Sequence, residues 1–352
     1  MTGNNQSLKK PAASLEDRFH KILCVIVQSY IETTEPVGSR SLSKILDLGI
    51  SPATIRNIMA DLTEQGFLEQ PHTSAGRVPT YKGYRYFVDI CMGQTPLSTE
   101  VKRVIEQAVR ESSQGLVSLL TSTCQLLAGL TQFTGIVASP RISQTRLRKV
   151  EFLKIEERRI YVVLITQSNM VLHKIIEVSE TLSQDFLNSV SASLNRQFET
   201  EPLDDVREQV LQSLSESHEK YNQLLAQAVR LSRKAFDLTE ERQLYVDGQS
   251  FIVKEFNDIE KIQRLLETLE EKITLIGLMD NGMDEEGVQV TIGEENPITD
   301  LQTCSLITAN YSNGGIVLGS IGILGPTRMD YSRVIPIIDY TAKALSEAIA
   351  NQ

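Results

Sequence analysis

The segment from Ser51 to Asp89, SPATIRNIMADLTEQGFLEQPHTSAGRVPTYKGYRYFVD, admits few folds. Ser51 followed by Pro52 is a helix start, because serine can cap free N–H groups and a first-turn proline has no needed N–H to lose. Ile55, Ile58, Met59 and Leu62 then fall at i, i+3, i+4 and i+7, so one face of that helix must be covered. Gly66 stops it. Phe67-Leu68 opens a short strand, Gln70 to Gly76 is rich in turn-forming residues, and Arg77-Val78-Pro79 is the return strand. Thr80 caps a further helix, expected over Tyr81–Ile90. Upstream, a helix is expected from Ser14 to before Glu35-Pro36, since a residue ahead of proline avoids helical dihedrals. Its apolar stripe is Phe19, Leu23, Ile26, Val27, Tyr30 and Ile31. A short helix, Ser39 to Leu46, follows with Leu42, Ile45 and Leu46 inward, and Asp47 to Ile50 is a turn. The order is a helix-turn-helix followed by a β-wing.

That shape can lay one helix in a DNA groove. Its outer face near the N-terminus carries Ala53, Thr54, Arg56, Asn57 and Ala60. Arginine pairs bidentately with guanine, asparagine with adenine, and threonine or alanine meets a thymine methyl. Thr54, Arg56 and Asn57 are therefore the candidates for base reading. The candidates for backbone contact are Ser39, Arg40, Ser51, His72, Thr73, Ser74, Arg77, Lys82 and Arg85, which would position the protein without reading sequence. Any one of these could be an ordinary solvated polar residue; their grouping beside a wing favours DNA.

Charge fits this reading only locally. Residues 1–93 hold 10 Lys/Arg against 9 Asp/Glu, or +1, while the other 259 residues hold 25 against 36, or −11, for a total of −10. A near-neutral module on an acidic body can bind DNA if its cations share one face.

The segments EPVGSRSLS, SPATIRNIMADL, QPHTSAGRVPT and KGYRYFVD resemble the N-terminal module of the HrcA family, heat-inducible transcription repressors of bacteria. The resemblance runs in order, more weakly, over about residues 14–350. It implies an α+β multidomain chain: a winged helix-turn-helix, then a GAF-like α+β domain interrupted by an inserted dimerising domain. It implies a homodimer on double-stranded DNA, at an inverted-repeat operator upstream of chaperone genes, with a GroEL-type chaperonin as a partner. The expected boundaries are a disordered tail at 1–13, the DNA-binding domain at 14–93, the GAF-like domain at 94–202 and 271–352, and the insertion at 203–270.

The rest of the chain mixes both periodicities. Helices are expected over 101–131, split near Gly115, and over Ser183–Phe198, with Phe186, Val190, Leu194 and Phe198 inward. Val150–Lys154, Ile160–Gln167 and Met170–Val178 read as strands. Val206–Phe236 is a long amphipathic pattern, and Leu244–Val253 reads as a hairpin around Asp247-Gly248. Ile259, Ile262, Leu266 and Leu269 form a seam that spacing alone places inside the chain's own core. The family resemblance and the need for two half-sites make the same four residues candidates for a dimer interface. Thr274–Met279, Val288–Ile292, Cys304–Tyr311 and Gly315–Leu324 read as strands, and Tyr331–Ala350 as a terminal helix. The run NGGIVLGSIGILGP lacks the Gly-Lys-Ser/Thr ending of a phosphate loop and reads as a closely packed strand.

Several functions have no support in the residues. Cys24, Cys91, Cys124 and Cys304 are far apart with no CxxC pair, which indicates neither zinc site nor disulfide framework, and Cys24 reads as a small core residue. His173 and His218 stand in separate elements, and no nucleophile–base or metal constellation marks a catalyst or a cofactor. The N-terminus lacks a signal-peptide core, and Ser112–Pro140 and Leu301–Thr327 are too polar to span a bilayer. A cytoplasmic location is expected. The alternative function is a ligand-sensing winged-helix regulator holding a metabolite in the GAF-like domain; a protein-docking winged helix is a third.

Overall fold

A computed structural model describes residues 15–46, 50–72, 75–93, 95–111, 115–141, 145–167, 171–203, 205–206, 208–209, 223–236, 242–256, 258–283, 285 and 287–350. Expectations for the 1–13 tail, the Ser14 cap, Thr73, Ser74, and much of Val206–Phe236 lie outside these residues.

The N-terminal module is α1 (Leu15–Thr33), α2 (Ser39–Ile45), α3 (Pro52–Glu64), the strands β1 (Leu68–Glu69) and β2 (Val78–Pro79), and α4 (Tyr81–Tyr86). Of the stripe expected on α1, Leu23, Ile26 and Val27 are buried and Phe19, Tyr30 and Ile31 only partly so; Ile22, Leu42, Leu68 and the expected α3 residues Ile55, Ile58, Met59 and Leu62 complete the core. Ile45, expected inward, is 57% exposed instead, since α2 turns Ser39 and Leu42 to the core and ends at Ile45. β1 and β2 pair antiparallel, and Val37 joins as a third line by exchanging two 2.9 Å hydrogen bonds with Arg77.

The expected last helix of the module changes form. After α4 the chain makes a π turn over Phe87–Cys91, with the Met92 N–H donating to the Phe87 carbonyl. Its final residue, Cys91, is disulfide-bonded to Cys24 of α1 across 67 residues. This corrects the reading that the cysteine spacing indicates no disulfide and that Cys24 is a small core residue, for Cys24 is bonded and partly exposed. The two sulfurs meet because α1 and the π turn pack together, a proximity that sequence spacing does not carry.

The body is built on a five-stranded antiparallel sheet in the order β7-β3-β10-β9-β8. Its strands are β3 (Thr134–Ala138), β7 (Leu244–Asp247), β8 (Val288–Ile292), β9 (Cys304–Asn313) and β10 (Ile316–Pro326). Side chains alternate between two faces. Val137, Ile307, Ala309 and Tyr311 join the module's core together with α5 (Thr99–Glu111), α6 (Leu116–Thr131) and α12 (Tyr331–Ala350). Ile136, Ala138 and Leu306 face α9 (Ser250–Glu255), α10 (Ile259–Glu270) and α11 (Lys272–Asp280). The glycine run is β10, as expected: Tyr311 Oη passes over Gly319 to donate to the Ala138 carbonyl at 2.8 Å, and a Cβ at Gly319 would lie 2.4 Å from that oxygen.

Between the paired strands β3 and β7 the chain leaves the sheet and returns. The excursion contains a second, three-stranded antiparallel sheet, β4 (Leu147–Glu156), β5 (Arg159–Thr166) and β6 (Val171–Glu177), with α7 (Gln184–Phe198) and α8 (Gln223–Phe236). It has its own core, including Phe152, Val162, Leu187, Leu194, Phe198 and Phe236. The outer edge of β4 is closed by α7. Asn195 bonds both the N–H and the carbonyl of Val150, and Gln184 takes the Lys154 N–H and reaches the Phe152 carbonyl. The neck of the excursion is fastened by Asp280, which pairs with both Arg141 and Arg242, while Ser139 N–H donates to the Gln243 carbonyl.

This topology differs from the expected insertion at 203–270. The segment that leaves and re-enters the main sheet lies between Ala138 and Leu244, and 244–270 belongs to the main sheet and its covering helices. Two local expectations fail with it. Gly248, at φ +81°, ends β7 and sends the chain into α9, so no hairpin forms around Asp247-Gly248. Thr274–Met279 is helical within α11, because Leu275 and Met279 sit at i and i+4 against the sheet.

Candidate nucleic-acid interface

Ser51 Oγ accepts the Thr54 N–H at 3.2 Å and so fixes the start of α3. The buried stripe of α3 leaves Ala53, Arg56, Asn57 and Ala60 exposed and Thr54 partly exposed. The Thr54 hydroxyl lies 3.1 Å from Ser51 Oγ. The side chains of Arg56 and Asn57 have no hydrogen bond or ion pair among the described residues.

The other candidates divide. Arg40 and His72 are exposed, and Thr73 and Ser74 lie outside the described residues. Ser39 is buried, 9% exposed, so its hydroxyl is withdrawn from the surface. Arg77 Nε donates to Thr63 Oγ1 at 2.9 Å, which lays the guanidinium along α3 rather than at the tip of the loop. Lys82 is exposed, but its ammonium donates to the Gln65 carbonyl at 3.0 Å and stands 4.6 Å from the Phe67 ring centre. It therefore adds positive charge beside the C-terminus of α3.

Arg85 does something else. Its guanidinium grips the Glu295 carboxylate and the Val290 carbonyl of the body, and pairs with Asp89 at 3.3 Å. The expected phosphate role is corrected for this arrangement, because the donors are already committed. Glu295 also accepts the Ile292 N–H at 2.7 Å. Burial alone would raise its pKa, but the Arg85 hydrogen bond, the Ile292 N–H and the Arg85 charge prevail and hold it below the ordinary value. Beside this pair Tyr84 packs on Tyr331, ring centres 6.2 Å apart, and burial pushes both hydroxyls well above the ordinary tyrosine range. Sequence reasoning missed Glu295 and Tyr84 as docking residues. They lie more than 200 residues from their partners, and nothing local announces them.

The proposed dimer residues also divide. Ile259 is 80% exposed and Ile262 and Leu266 partly so, but Leu269 is 4% exposed and lies with Leu265 in the core under the sheet. Leu269 is a packing residue of the chain's own fold. Among the described residues, no helix is long and apolar enough to cross a membrane.

Residues 117–335 match the family model described as the HrcA protein C terminal domain. The chain is similar to the heat-inducible transcription repressor HrcA of Geobacter sulfurreducens, 38% identical over 340 residues that cover 96% of this chain and 99% of that protein. It is similar to the protein of the same description from Xanthomonas campestris pv. campestris, 38% identical over 338 residues, 95% of this chain and 96% of that one. Among solved structures, a hypothetical protein is 26% identical and superposes with a TM-score of 0.58, covering 96% of this chain and 99% of that chain.

Proposed function

Because this chain belongs to the HrcA family, we propose that it is a DNA-binding repressor of heat-shock genes, acting as a homodimer on an inverted-repeat operator of chaperone operons. The observation that carries the reading is α3: a capped helix, clamped through four buried apolar residues, whose outward N-terminal face offers Thr54, Arg56 and Asn57. We read the module as a winged helix-turn-helix with α3 in the major groove and the β1–β2 loop beside the sugar–phosphate backbone. Arg40, Ser51, His72 and Lys82 are the backbone contacts this arrangement leaves available, with Arg77 supporting the wing root.

Two such modules related by a two-fold axis require a palindromic site. Ile259 and Ile262, on the accessible side of α10, are the residues through which the two copies would meet. The five-stranded body is read as the GAF-like domain. A GroEL-type chaperonin is the proposed folding partner, since a body whose sheet is closed only after a long excursion folds slowly and exposes apolar surface meanwhile. The family is one of regulators, and the reading assigns no catalysis.

The test is a salt titration of binding to an inverted-repeat duplex and to a scrambled one. Neutralising about five phosphates per dimer gives a log–log salt slope of about −4 to −5 on both. The inverted repeat is expected to bind on the order of a thousandfold more tightly. Equal affinity for both duplexes would end the claim of an operator-specific repressor.

A further inference from the structure

We propose that Cys24 and Cys91 are a reversible oxidation site, closed by a peroxide and reopened by a low-molecular-weight thiol, with the His20 imidazole activating Cys24. The site rests on geometry alone and does not depend on the DNA reading. The two sulfurs are bonded, and both cysteines are partly exposed, within reach of small solutes. Cys124 and Cys304 are buried, and burial pushes their thiols up to about 12 and about 11. His20 stands one helical turn before Cys24, with both ring nitrogens 3.7 Å from Cys24 Sγ and Nδ1 3.4 Å from the Tyr86 hydroxyl. A histidine against a thiol favours the thiolate, which is the reactive form. The π turn completes the site. Cys91 is its final residue and faces Cys24 of α1.

The chemistry balances. His20 takes the Cys24 proton, and the thiolate attacks one peroxide oxygen and breaks the O–O bond. This gives a sulfenic acid and a hydroxide, which takes the proton from His20 and leaves as water. The Cys91 sulfur then attacks the sulfenyl sulfur; the S–S bond forms, and the departing hydroxide takes the Cys91 proton as a second water. The two sulfurs together lose two electrons and the peroxide gains them. Two small thiols return the pair to the dithiol and leave as their disulfide. The closed bond ties α1 to the segment that leads out of the module toward α5.

The experiment uses the full chain, reduced and freed of reductant. Peroxide is expected to remove two alkylatable thiols and yield a Cys24–Cys91 cross-linked peptide by mass spectrometry, and dithiothreitol to restore both. In Cys91→Ser, dimedone should trap Cys24. In Cys24→Ser, Cys91 should react about tenfold more slowly. His20→Gln, with an unchanged melting curve, should slow closure about fivefold. Competitive alkylation of the reduced wild-type chain needs no variant and should label Cys24 before Cys91. Cys24 and Cys91 thiols that both survive peroxide, or Cys24 and Cys91 labelled at equal rates, would overturn the proposal. His20, Cys24 and Cys91 also bring one nitrogen and two sulfurs within 4.8 Å of one another, a donor set for a soft metal. A reduced chain that retains zinc and shields both cysteines from alkylation would therefore overturn it in favour of a metal site.

Discussion

Single side chains on α3 divide into those that hold the helix and those that face outward, and the two kinds answer differently to truncation. Arg56 is exposed with no partner among the described residues, so removing it leaves the fold intact. Arg56→Ala is expected to cost about 1–3 kcal/mol on the operator and far less on random duplex, measured as the ratio of the two Kd values. An equal loss on both would make Arg56 a phosphate contact. Ser51→Ala removes the acceptor of the Thr54 N–H and is expected to cost about 1 kcal/mol of stability in urea titration. Arg56, Asn57 and Ser51 were legible in the sequence because caps and helical faces are local properties. Arg85 was not, since a guanidinium on a helix surface looks the same whether it meets phosphate or a carboxylate 210 residues away.

At the scale of elements, α10 shows how a periodic seam is resolved. Leu265 and Leu269 go under the sheet, while Ile259 stays out. Leu269→Ala should therefore destabilise the fold by about 2–5 kcal/mol without a specific effect on association. Ile259→Glu should leave the melting curve of the monomer near wild type and shift sedimentation toward monomer; an unchanged dimer would place the interface elsewhere. The disulfide belongs to this scale as well, since it joins α1 to the π turn. Closing a loop of 67 residues restricts the unfolded chain, and the oxidised form is expected to be more stable by about 4 kcal/mol on the loop-entropy estimate, read as a higher denaturation midpoint without reductant. Strands β4, β5, β6, β8, β9 and β10 were legible from alternation or β-branched runs. α11 was not, because Thr274–Met279 is a short apolar run that fits a buried strand and a buried helix equally well.

For the whole molecule, the junction between module and body is the decisive contact. Arg85, Glu295, Tyr84 and Tyr331 fasten α4 to the turn after β8 and to α12. Glu295 has a folded-state pKa held below its ordinary value of 4.5, so its contribution is present above that value and is lost as pH falls through the lowered folded value. Glu295→Gln is accordingly expected to lower the urea midpoint at neutral pH by the equivalent of about 1 kcal/mol, with the gap to wild type closing as the pH falls through the lowered value of the carboxylate. A gap that persists in acid would show that the carboxylate's charge is not what holds the junction.

By itself the sequence determined the module: its caps, its buried stripe, the hairpin after Gly66 and the polar face of α3 all follow from residues within one or two turns of each other. It also determined most strands of both sheets. Only the tertiary structure decided which strands are neighbours, and hence that the excursion from the main sheet runs between β3 and β7 rather than over 203–270. It alone decided that Cys24 meets Cys91 and that Arg85 meets Glu295. The physical reason is range: periodicity and capping act over a few residues along the chain, whereas strand pairing, disulfides and ion pairs join partners that the chain brings together only once its cores have closed.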